Sequence, residues 1–305
     1  MAVDPHVSSR HHNGRPLELA SKMAAQSGPI LLSTTPMNLE SATPAPRAAV
    51  AAARAWWLAL AALALLVGLL LHGPVAQWEN YHDFADTRAW LALPHAADVL
   101  SNLPFLLAGA LGLRGVARCS GSWPSRNAWL LFCVALMCTS AGSSFYHWAP
   151  NNAALVFDRI PIAWACVALS SALLAEHLHP RWASASLLAA AALIAAGTVA
   201  YWWFTEQRGV GDLRPYLFVQ ILPMLLVPLA LLLRLPALEA AATPASAWWA
   251  VLGLYAAAKA TEVTDHAIFA ATGWVSGHTL KHLFAAAAAA WIVHAVIRAR
   301  RRQLR

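Results

Sequence analysis

Eight apolar stretches follow one another through 305 residues, at about 55–72, 96–116, 127–147, 156–176, 183–204, 214–234, 246–270 and 277–298. Each is close to the roughly 20 residues that cross a hydrocarbon core. A bilayer holds no water to satisfy stray peptide groups, so such a chain folds as packed helices with their hydrogen bonds closed internally. The expectation is an all-α, polytopic membrane helix bundle. Composition agrees, since 59% of the residues are hydrophobic and only 11% charged. Pro104, Pro161, Pro223 and Pro228 lie inside the stretches, where neighbouring helices can re-satisfy the carbonyls they free.

The formal charge of +7 does not imply a nucleic-acid partner, because the arginines cluster at the ends of apolar stretches and in the tails. With eight crossings both termini share a side. That side holds the basic residues of 1–54, the loop arginines Arg114, Arg118, Arg126, Arg181 and Arg234, and the run from Arg298 onward, 15 of the 21 in all. The termini are therefore expected in the cytoplasm. An Ala/Arg/Trp-rich composition suggests a GC-rich bacterium and its inner membrane. Residues 1–54 lack periodicity and read as a disordered tail without a signal-peptide layout; Met23 and Met37 are alternative starts. Residues 299–305 read as a basic cytoplasmic tail. Cys119, Cys133, Cys138 and Cys166 show neither paired nor C-x-x-C spacing, so no disulfide framework or thiolate metal site is indicated.

On this topology the awkward polar residues gather at one depth, toward the outer side. Asp98, Ser101 and Asn102 open the second crossing; Ser143, Ser144 and His147 end the third; Asp158 opens the fourth. Arg214, Tyr216 and Gln220 open the sixth, and Glu262, Asp265 and His266 lie toward the outer end of the seventh. His278, Lys281 and His282 open the eighth. Lys259 lies one turn before Glu262 and can pair with it. Ionisable groups at membrane depth are costly and usually face a site with partners. Polar glue between helices, the alternative, would scatter through both halves of the bundle.

His278 and His282, four apart on one helix face, are either interfacial histidines or a grip for zinc. With His147 they can occupy three corners of a tetrahedron and leave the fourth to water, the open arrangement of a catalytic zinc. Zinc lowers the pKa of its water toward about 7 and polarises a carbonyl, and a carboxylate must then handle the water's proton. Asp158 suits that role, unless it is only a helix N-terminal charge. Ser143, one turn before His147, can support an oxyanion or simply bond the carbonyl one turn back.

Ser143-x-x-x-His147, then Asp158, then His278-x-x-x-His282 resembles the alkaline ceramidase family, within a wider group of seven-helix membrane hydrolases that includes the adiponectin receptors. Asp98-Val99-Leu100-Ser101-Asn102 is similar to that family's opening helix. The resemblance covers about 75–298 and makes 55–72 an extra N-terminal transmembrane helix on a seven-helix catalytic core. It implies a zinc amidase that cleaves the N-acyl bond of ceramide into fatty acid and sphingoid base. His147, His278 and His282 would bind Zn2+, Asp158 would handle the water's proton, and Ser143 would support the oxyanion. Asp98, Ser101, Asn102, Tyr216, Glu262, Asp265, His266 and Lys281 are the candidates to support the site or touch substrate. Two departures bear on function. Trp78-Glu79-Asn80 is compressed relative to the family's calcium-binding stretch and His95 stands where a carboxylate is expected, which puts Ca2+ in doubt although Asp83 and Asp86 can substitute. Lys281 stands where the family often has an aromatic. The expected partner is a lipid entering from the bilayer, with no obvious protein partner. A hydrolase of another acyl lipid, a non-catalytic zinc-containing receptor, and a transporter using Lys259, Glu262, Asp265 and His266 are the other readings; no inverted repeat speaks for transport.

Overall fold

Helix begins at Ala45, ahead of the first apolar stretch, because the alanine-rich 48–53 is strong helix former. The computed structural model describes residues 45–121, 123–239 and 242–303; residues 1–44 of the expected tail lie outside it. In chain order the helices are α1 (Ala45–His72), α2 (Ala96–Leu100), α3 (Leu103–Ala117), α4 (Arg126–Trp148), α5 (Asn152–His177), α6 (Ala185–Glu206), α7 (Arg214–Leu232), α8 (Ala245–Val263), α9 (Asp265–Thr272) and α10 (Gly277–Gln303). Among the described residues the only β-type pairing is an isolated bridge between Trp90 and Leu93. The fold is all-α.

Among the described residues seven helices are long and apolar enough to cross a membrane: 53–72 of α1, α2 with α3, α4, α5, α6, α7 and α10. That is one fewer than the eight stretches in the sequence. The helix that drops out is α8, where Lys259, Thr261 and Glu262 dilute the apolar character. It nevertheless packs along α10. The stretch 246–270 is also not one helix. Thr264 leaves the helical conformation, and Asp265 turns its carboxylate to donors outside its own helix, so the chain breaks into α8 and α9. Gly273, at φ 72°, then closes α9 in the left-handed region where glycine is cheapest.

The second stretch breaks as well. Pro104, inside this span, sits in the first turn of α3, and the helix ahead of it ends at Leu100. Neighbouring hydroxyls and amides take up the freed carbonyls. Ser101 Oγ and Asn102 Nδ2 both donate to Asp98 O, at 2.9 Å each, while Ser144 and Ser140 of α4 donate to Val99 O and Asn102 O. The polar sequence at 98–102 is therefore needed to seal a broken helix end in a medium without water.

Close helix packing follows from small residues. Gly109, Gly112 and Gly115 line one stripe of α3, and a Cβ on any of them would collide with α4 or α10. α1 is the peripheral element: it packs on α7, and only 6% of its spanning window is buried.

Candidate metal centre

The first turn of α10 is held from outside itself. Asp265 Oδ1 accepts the His278 N–H at 2.7 Å, and Ser276 Oγ accepts the Thr279 N–H at 3.0 Å. Asp98 Oδ1 accepts from Thr279 Oγ1 at 2.6 Å and lies 3.4 Å from Ser276 Oγ. Two carboxylates thus stand at the positive end of this helix, and its orphan N–H groups find partners. Gly277 lets the helix start directly against α8 and α9; a Cβ there would overlap the Thr261 carbonyl.

That anchoring aims His278 and His282 at His147, near the end of α4. The three imidazole centroids form a nearly equilateral triangle, 4.8, 4.8 and 4.9 Å on a side. One ring nitrogen from each lies within 4.8 Å of the other two. The residues are 1%, 7% and 5% exposed for His147, His278 and His282, too buried for interfacial histidines. Ser101 has one hydroxyl proton and gives it to Asp98 O, so its oxygen, 2.8 Å from His282 Nδ1, accepts a proton from that nitrogen. This fixes the tautomer and leaves His282 Nε2 with a lone pair. His147 Nδ1 and His278 Nε2 are buried without a hydrogen-bond partner among the described residues. Three imidazoles with unmet nitrogens suit a metal ion, and three nitrogen ligands leave a tetrahedral ion one position short.

Asp158 reaches this centre through a glycine. At Gly142 the backbones of α4 and α5 meet so closely that a Cβ would overlap the Phe157 carbonyl and stand 3.3 Å from Asp158 N. This approach sets the Asp158 carboxyl beside Ser143, one turn from His147 on the same helix. Asp158 Oδ1 is buried and receives no hydrogen bond among the described residues. On the flank toward α8, Glu262 takes Lys259 on one oxygen and Lys281 on the other, the latter at 2.6 Å.

The loop before α2 covers the triangle. Phe84 is buried, with its ring centroid 4.7 Å from His147 and 4.6 Å from His278. The loop is clasped by Asp86, which pairs with Arg88, and Arg88 also donates to Gly273 O and Trp274 O. Ala85 N–H donates to Asp265 Oδ2 at 3.0 Å. The Arg88 guanidinium holds the Asp86 carboxyl below the usual carboxylate range, against the opposing push of burial.

The remaining candidates divide. Asp98, Ser101 and Asp265 brace the histidines and α10, and Asn102 is wholly buried below them with Oδ1 unpaired. Tyr216 is not at the triangle: it joins Tyr81 and Trp202 around the buried Arg159 guanidinium, which also contacts Gln77. Arg214 is taken up by Asp212. His266 is exposed and touches Asp83 at the surface, 3.2 Å from its carbonyl. Asp86 is paired with Arg88, and Asp83 is exposed beside His266.

Four residues at or near the centre escaped the sequence reading. Phe84 sits in an aperiodic loop that carries no signal for its position, and Gly142 is one glycine among 15. Ser276 was legible as a helix-start residue three before Thr279. His82 was not: Asn152 Nδ2 donates to Glu206, so Asn152 Oδ1 accepts from His82 Nε2, and His82 Nδ1 is left to accept from Tyr146 Oη. Tyr146, next to His147, is locked by that chain.

No protein-family model matches this chain, and no curated protein matches it.

Proposed function

We propose that the chain is a membrane-embedded, zinc-dependent amidase that hydrolyses the N-acyl bond of ceramide-like lipids to a fatty acid and a sphingoid base. The observation that carries this is the buried triangle of His147, His278 and His282, with the Asp158 carboxyl set beside Ser143, one helical turn before His147. The same residues carry the resemblance to the alkaline ceramidases. On this reading α1 is an addition to a seven-helix core formed by α2 through α10, and α8 completes that core despite its lower apolarity. Both termini are cytoplasmic, and the centre lies toward the periplasmic side of a bacterial inner membrane.

His147, His278 and His282 would hold the zinc, which when bound would supply Lewis acidity and a water acidic near neutral pH. Asp158, through Oδ1, would take a proton from the attacking water and return it to the leaving nitrogen. Ser143 donates its hydroxyl proton to the acyl oxygen as negative charge develops there. Ser101 holds His282 in one tautomer throughout. Phe84 keeps bulk water off the imidazoles, and the substrate arrives from the bilayer.

The test is purification in detergent, metal analysis, and a panel of N-acyl and O-acyl lipids assayed for released fatty acid. An amidase holds about one zinc per chain, as a three-ligand site implies, and releases fatty acid from the amides. Release from esters instead would make it a hydrolase of another acyl lipid. Zinc with no turnover of any lipid, unaltered by Asp158→Asn, would leave a non-catalytic metal protein.

A further inference from the structure

Lys281 has no counterpart in a site built for a neutral lipid head. It lies on α10 three residues after His278 and one before His282, so its ammonium flanks the histidine face. Its charge acts on His147, His278, His282 and Asp158 alike. Its only ion-pair partner among the described residues is Glu262, and that carboxylate is already engaged on its other oxygen by Lys259 from its own helix. Two ammonium groups thus share one carboxylate. Lys259 is 49% exposed and can be served by the surroundings of the bundle, whereas Lys281 is 25% exposed, sheltered but reachable. No other carboxylate of the layer pairs with it: Asp98 and Asp265 are bonded to hydroxyl and backbone donors, and Asp158 acts on it only from beyond ion-pair distance. A half-compensated cation at membrane depth marks a ligand contact.

We propose that Lys281 selects acyl amides bearing an anionic group, carboxylate or phosphate, on the amine side of the scissile bond. This rests on the hydrolase reading and replaces its neutral sphingoid head with a charged one. Glu262 is the resident stand-in for that group, and the substrate's anion takes its place on the Lys281 ammonium.

Three amides with one acyl chain test this: N-palmitoylethanolamine, its O-phosphate, and N-palmitoylglycine. The wild type should favour the anionic amides over the neutral one by about tenfold or more in kcat/KM, as a single charge-assisted hydrogen bond provides. The larger of the two anionic values tells phosphate from carboxylate. Lys281→Met should bring the ratio close to one, Lys281→Arg should retain it, and Glu262→Gln, which removes the competing carboxylate, should raise it. A wild-type ratio at or below one, or a ratio that none of these variants moves, overturns the proposal. Binding of the same three lipids, followed by tryptophan fluorescence in detergent, separates the two readings. Tighter binding of the anions that vanishes in Lys281→Met, without turnover of any amide, keeps the anion site and rejects the hydrolase. Equal binding of all three rejects the anion site whatever the turnover.

Discussion

Glu176 and Asp158 stand on the same helix, α5, 18 residues or about 27 Å apart, and both are carboxylates inside the bundle. Glu176 is surrounded: Ser125 Oγ at 2.6 Å, Trp129 Nε1 at 3.2 Å, Thr243 N–H at 2.8 Å and Thr243 Oγ1 at 3.0 Å all donate to it. These bonds tie the start of α4, the end of α5 and the approach to α8. Nearby Arg300 pairs with Glu239 and stacks on Trp123. Around Asp158 the reverse holds. Its own Oδ1, His147 Nδ1, His278 Nε2, Asp98 Oδ2 and Asn102 Oδ1 are all buried without a protein partner. Burying polar groups is tolerable when they are paired and costly when they are not. The Glu176 carboxylate is spent on architecture, although Trp123 Nε1, Trp248 Nε1 and Arg300 Nη2 near it also lack a partner among the described residues, whereas around the triangle it is the acceptors that stay open toward something that binds.

The sharpest way to break this comparison is to neutralise both carboxylates. Asp158→Asn should lower turnover by about 10²–10⁴-fold, the usual worth of a positioned acid–base group, with zinc content and melting temperature close to wild type. Glu176→Ala should leave its donors stranded and cost about 3 kcal/mol of stability, read as a lower melting temperature in detergent, with zinc still bound to the folded fraction. Should the two variants exchange phenotypes, the division between the ends fails. Gly142→Ala comes next. Pushing α5 off α4 should cost about 1–3 kcal/mol, as overpacking does, and turnover should fall further than the lost stability explains, because Asp158 moves away from Ser143. The smallest effect concerns the loop over the triangle. Asp86 titrates lower in the folded protein than in the unfolded chain, so its clasp contributes above about pH 4 and is lost as the pH falls below that. The melting-temperature difference between wild type and Arg88→Gln should therefore be constant from pH 5 to pH 8 and close as the pH drops toward 3.

Much of the layer was legible because membrane burial makes each polar residue conspicuous. His147, Asp158, His278 and His282 stand out against apolar neighbours, and helical spacing alone put the last two on one face. The spacing of α4 likewise put Ser143 below His147. What the sequence hid were contacts made by backbone shape. The apolar stretch 246–270 gave no sign that Thr264 ends a helix, since threonine also sits comfortably inside one, and the use of Asp265 as a cap for α10 depends on that break. Pro104 was visible inside its span, with its neighbours taking up the freed carbonyls as expected, but not where the chain breaks ahead of it, which is where Ser101 meets His282. Tyr216 and His266 were assigned to the layer by depth alone. Depth does not say which way a side chain turns, and theirs turn to Arg159 and to the surface.

Phe84, seated on the imidazoles and held by its clasped loop, has a consequence for enzymology. If the aqueous approach is closed by that ring, the relevant concentration is two-dimensional. Rates should follow the mole fraction of lipid in the micelle or membrane, and diluting the substrate with inert detergent at constant bulk concentration should slow the reaction as effectively as removing it.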